Sequence, residues 1–215
     1  MRELDSPDDR WARTSATAWF AAILAPMIAS QLVRLQQHAA LGWIAWDYAG
    51  RLGALAVMAA IPSARMVAFT SQRTRISHLE TMLWIVGLSL LERLSQAPRI
   101  VINAAFPGTV VGRYPQPGGW LYLFDLALGL GLVAVSEELV FRRCAADVLR
   151  LWLGNRVLIV LVSSLLFGGY HRWAGLGNVV MATILGAGFM LMLQRSVALW
   201  PLVLAHDVVD LIAFA

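Results

Sequence analysis

Lysine is missing altogether from these 215 residues, cysteine occurs once, and charged side chains make up only 14% of the chain, where soluble domains carry about 25%. Each shortage excludes something. A single cysteine, Cys144, cannot close an internal disulfide, so no disulfide framework holds this fold, and a small buried apolar side chain is expected there. Without lysine the net charge of +4 rests on arginine alone. Those arginines sit in short stretches between apolar runs, which fits membrane orientation and excludes a nucleic-acid-binding face.

What fills the chain instead is apolar: 59% of the residues, against about 45–50% in soluble proteins. A membrane crossing needs about 20 mostly apolar residues. Apolar segments run over 17–33, 41–62, 79–91, 119–141, 156–171, 176–194 and 197–214. The expected fold is therefore all-α, a polytopic transmembrane helix bundle of about seven spans. There is no internal sequence repeat. Pro98, Pro107, Pro115 and Pro117 with several glycines mark 92–118 as a long irregular connection. That connection divides an N-terminal set of helices, 1–118, from a C-terminal core, 119–215. Trp19, Trp43, Trp120, Trp173 and Trp200 stand near segment ends, as an aromatic belt would.

Residues 1–16 mix Arg2, Arg10 and Arg13 with Asp5, Asp8 and Asp9, so the first apolar run is expected to be an uncleaved span, not a signal peptide. Arg65, Arg73 and Arg75 follow the second segment, Arg142, Arg143, Arg150 and Arg156 the fourth, and Arg195 the sixth. With seven spans all three connections fall on one side, the cytoplasmic one. The N-terminus is then expected inside and the C-terminus outside, in a bacterial inner membrane with its lipids as partners. An arginine-rich chain without lysine also suggests a GC-rich bacterium.

Ionisable groups at membrane depth are costly, and are functional candidates by default. Three clusters qualify. The fourth segment closes on Ser136-Glu137-Glu138-Leu139-Val140-Phe141-Arg142-Arg143; the fifth ends on Phe167-Gly168-Gly169-Tyr170-His171; the last contains His206-Asp207-Val208-Val209-Asp210. Residues four apart share a helix face, so Glu138 reaches Arg142, Phe167 lies one turn from His171, and His206 and Asp210 project together. Glu137 and Glu138, about 100° apart, cannot share a face; one is expected to face a cavity and the other to be held by Arg142. A turn at Gly154-Asn155 would bring Glu137 and His171 to nearly the same height in an antiparallel hairpin. Asp47, Arg51, Asp125 and Asn178 are expected to pair locally or snorkel, and Asp207 to point elsewhere.

In order and spacing the three clusters resemble the intramembrane CAAX-protease and bacteriocin-processing (Abi) family of glutamate-dependent peptidases. Its marks are Glu-Glu-x-x-x-Arg, Phe-x-x-x-His and His-x-x-x-Asn/Asp. The resemblance spans about 119–212 and includes Phe141, Gly186, Gly188, Ser196 and Pro201. It departs at Asp210, where the prenyl-protein proteases carry Asn, and at Arg143, where a small residue is usual. The resemblance implies an intramembrane endopeptidase. Glu137 would activate a water, His171 would hold it, His206 and Asp210 would stabilise the oxyanion, and Glu138, Arg142 and Phe167 would support them. It also implies a membrane-associated substrate: a lipidated C-terminus, a peptide leader or a sorting tail. His171, His206 and Asp210 would suit zinc with an open fourth position, but the pattern lacks His-Glu-x-x-His and no cofactor is expected. A proton-coupled transporter or a non-catalytic scaffold of the same fold are the alternatives.

Overall fold

A computed structural model describes residues 7–214; Arg2 and Asp5 lie outside the described residues. Helix α1 (Pro7–Arg34) starts on proline, whose missing N–H costs nothing at a helix start, with Asp8 and Asp9 in the first turn complementing its dipole. Helix α2 (Ala40–Ala60) ends where extended Ile61 precedes Pro62, and the chain bends by 109° into the short α3 (Pro62–Phe69). Helix α4 (His78–Ala105) begins on an N-cap serine, Ser77, whose hydroxyl accepts the Glu80 N–H at 3.1 Å. Helix α5 (Gly119–Leu153) closes at Gly154, whose left-handed φ of 60° ends it. The Asn155 side chain then caps α6 (Arg156–Tyr170). Helices α7 (Leu176–Ser196) and α8 (Trp200–Phe214) complete the chain.

Each predicted apolar segment is largely helical, although 41–62 breaks at Ile61 and 197–214 becomes helical only from Trp200, and the described residues hold no strand. Seven spans are not confirmed. Three helices, α1, α5 and α7, are long and apolar enough to cross a membrane, or four if the bent α2–α3 pair is one span. Helices α6 and α8 have 15 residues each, about 22 Å of rise against a hydrocarbon core of about 30 Å. The irregular connection expected from residue 92 begins only after Ala105. Glu92 and Arg99 lower the hydropathy of α4 but neutralise each other at 2.9 Å, so the helix continues through them and through Pro98.

The long helices alternate in direction, and contacts at their ends fix the two faces of the bundle. At one end α5 meets α1 through Trp152 and Thr17, Arg75 N donates to Ser196 O at 2.9 Å, and Gln194 reaches Arg156 O at 3.1 Å. At the other, Gln31 donates to Tyr170 O at 2.8 Å, Asn103 to Ala174 O at 3.0 Å, and Tyr122 to Phe214 O at 3.3 Å.

Polarity is distributed as in a protein bathed by lipid. Leu79, Leu83, Leu94, Ile100 and Val101 of α4 are exposed, while Arg51, Glu137, Glu138, Arg142 and His206 are buried. An exposed apolar stripe of this extent marks an interaction surface, and unpaired charges could not stay buried unless other protein groups met them. The chain is an integral membrane protein.

Candidate active site

Helix α5 is not uniformly wound. Its turns at Asp125–Gly129 and Glu138–Cys144 are π-helical, each inserting residues into the regular ladder and redirecting the side chains around it. The second π segment starts immediately after Glu137. The Phe141 carbonyl within it accepts from the Ser163 hydroxyl of α6 at 2.6 Å. Glu137 and Glu138 are both buried, and they face different partners.

Glu138 is the carboxylate that meets Arg142, and it also meets His206. Its Oε1 lies 2.7 Å from Nδ1 of His206, and its Oε2 is 3.4 Å from Nε of Arg142. The Arg142 guanidinium lies over the Phe167 ring at 3.9 Å and faces Phe189 at 5.2 Å. Phe189 in turn stacks on His206, with ring centres 4.9 Å apart and planes 27° apart. A buried cation between two aromatic faces and a carboxylate thus backs both Glu138 and His206.

Glu137 faces a cavity of about 720 Å³, lined also by His171, His206 and Asp210, a volume in the range of small-molecule and peptide sites. The sequence clusters therefore converge. His206 Nε2 stands 3.8 Å from Glu137 Oε2 and 3.6 Å from Asp210 Oδ2. Both distances exceed a hydrogen bond. His171 Nδ1 lies 2.8 Å from the Phe167 carbonyl. A carbonyl only accepts, so Nδ1 carries the proton and Nε2 of the neutral ring is left as an acceptor. Asp207 does not line the cavity.

Sequence reasoning missed one member of this constellation. Arg51 pairs with Asp47 one turn away at 2.8 Å, as expected, but also reaches Glu137 Oε1 at 2.9 Å and Ser136 Oγ at 3.1 Å. Asp47 bonds Arg34 as well, so two arginines and two carboxylates form one buried, charge-balanced chain from α1 through α2 to α5. Arg34 lies 5.2 Å from both the Trp43 and Trp173 rings. Trp43 is buried against Trp173 here, not placed in an interfacial belt, whereas Trp120 and Trp200 are exposed. The available signal for Arg51 was a cation in mid-span. Asp125, also in the cavity wall, accepts from Tyr48 and Tyr114.

The candidate zinc ligands do not form a set. Among the described residues no group of three or more His, Cys, Asp or Glu is placed to hold a metal. His206 Nδ1 meets Glu138 and His171 Nδ1 a carbonyl, which leaves both Nε2 atoms open.

Residues 118–212 match the family described as type II CAAX prenyl endopeptidase, Rce1-like. The match covers nearly the same residues as the three motifs and bears out the resemblance they carry; α1 to α4, with Arg34, Asp47 and Arg51, lie outside it. No curated protein and no solved structure matches the chain.

Proposed function

We propose, on the premise that residues 118–212 are of the CAAX-protease family, that this chain is an intramembrane endopeptidase acting through a glutamate-activated water. The observation that carries the reading is a buried carboxylate, Glu137, lining a cavity inside an apolar bundle with one oxygen held by Arg51 and the other facing His206. Its free Oε2 would take a proton from water as hydroxide attacks the scissile carbonyl carbon, and would return it to the leaving amine as the C–N bond breaks. His171, with Nε2 free to accept, would hold that water. The gap between His206 Nε2, Glu137 and Asp210 is where the oxyanion would form. With Nδ1 donating to Glu138, His206 meets an oxyanion through Nε2–H in its imidazolium form.

The test is cleavage of membrane-associated peptides by the purified chain with and without a strong zinc chelator. Activity untouched by the chelator is expected. Loss with chelator and recovery with added zinc would move His171, His206 and Asp210 into ligand roles and end the metal-free reading.

Asp210 offers a second check. An amide at this position donates to an oxyanion without needing a proton, as the Asn of the prenyl-protein proteases would. Asp210→Asn is expected to keep kcat within a few-fold, and Asp210→Ala to lose about 100-fold, the cost typical of one oxyanion donor. Equal losses in steady-state kinetics on one peptide would remove Asp210 from the oxyanion site.

A further inference from the structure

Of the two ends of the bundle the cavity reaches one, and its wall includes Ile100 from the lipid-facing side of α4. The cavity is lined at the mouth by Asn103, Pro107, Gly112, Trp173 and Phe214, all from the end where α1, α4, α6 and α8 finish. Arg51 lies eleven residues into α2 and His206 eight residues before the end of α8, which places the site about 12–17 Å below that mouth. Towards the opposite end the bundle is plugged by Met58, Val140, Phe141 and Cys144, each at most 2% exposed. A separate cavity of about 780 Å³ lies at that end and shares no lining residue with the first.

The two faces differ in charge. Arg65, Arg73, Arg75, Arg150, Arg156 and Arg195 all belong to the plugged end, together with Arg10 and Arg13 at the start of α1. Among the described residues the open end carries Arg34, Arg99, Arg113 and Arg172, fewer by half, while Arg93 lies midway along α4. An excess of arginine in short flanking segments marks the cytoplasmic side, and acidic residues contribute little to that rule.

From these two asymmetries we infer that the catalytic cavity opens away from the cytoplasm. Its substrate is then a peptide segment presented from the outer surface of the membrane, such as the membrane-anchored tail or leader of an exported protein. A lipidated C-terminus on a cytoplasmic protein would face the plugged end, behind the arginines and the apolar plug. The substrate class rests on the peptidase reading; the direction of the opening does not.

Cysteine labelling separates the two. The natural Cys144 is fully buried and gives a quiet background. Val111→Cys and Gln116→Cys mark the open end, Gln72→Cys and Arg73→Cys the plugged end. All four positions are exposed. In spheroplasts of a bacterial host, a membrane-impermeant maleimide is expected to label the first pair, and the second pair only after lysis. The reverse pattern, or equal labelling of both pairs, overturns the inference whatever the chain's activity. Right-side-out vesicles should then cleave a peptide added outside, and sealed inside-out vesicles should not. The expected labelling without cleavage in either vesicle would leave the orientation standing and count against the peptidase.

Discussion

Glu137→Gln is expected to lower kcat for peptide cleavage by two to four orders of magnitude while leaving the fold and KM nearly unchanged. The size follows from the role: a positioned general base contributes about 10²–10⁴-fold, and glutamine keeps the shape but cannot take a proton. KM should hold because the cavity walls that would contact a peptide, among them Trp173, Asn103 and Phe214, are untouched. Folding should hold because the amide oxygen still accepts from Arg51, whose charge retains Asp47 at 2.8 Å. The comparison separates the alternatives. A non-catalytic scaffold would tolerate the change in any assay of its partners. A proton-coupled transporter would lose proton flux and show no cleavage in either form. Equal cleavage by both proteins would remove Glu137 as the base.

The fold and the site were legible to different depths, for physical reasons. The motifs were readable because helical spacing ties Glu138 to Arg142 and His206 to Asp210 within one segment, and both pairs are present at 3.4 Å and 3.6 Å. The Gly154-Asn155 turn was readable because a left-handed glycine followed by a capping asparagine is local chemistry. Two features were not. The π turns of α5, one of which begins directly after Glu137, have no residue signature. Arg51 has a sufficient local explanation in Asp47, so nothing in sequence pointed to a third partner on α5. Hydropathy also misjudged α4, since it counts Glu92 and Arg99 as breaks although their mutual pairing lets the helix pass. The Arg51 miss concerns a contact between segments, where one chain position gains its meaning from another far along the sequence.

The Arg51–Glu137 contact makes the strongest demand of this kind, and its loss should be visible without any substrate. Arg51→Gln leaves Glu137 buried without its cation, while Asp47 keeps Arg34. Breaking one side of a buried pair costs about 3–5 kcal/mol. The low end applies here, because Glu137 also faces the cavity. For a chain of this size that corresponds to a fall in melting temperature of about 6–12 °C. Removing the stranded charge as well should restore stability, so the double variant Arg51→Gln/Glu137→Gln is expected to melt above Arg51→Gln alone. Simple additivity in this cycle would mean that the two residues do not communicate. Activity should follow geometry: without Arg51 the Glu137 carboxylate is free to turn, and a misplacement of about 1 Å costs up to about 100-fold in rate. The loss should fall on kcat, not on KM. Arg51→Lys should recover only part of it, since one ammonium cannot span Glu137, Asp47 and Ser136 as the guanidinium fork does. Full activity in Arg51→Gln, beside a dead Glu137→Gln, would show that the base needs no cation from α2. The opposite result would make the N-terminal hairpin, which lies outside the family match, part of the catalytic site.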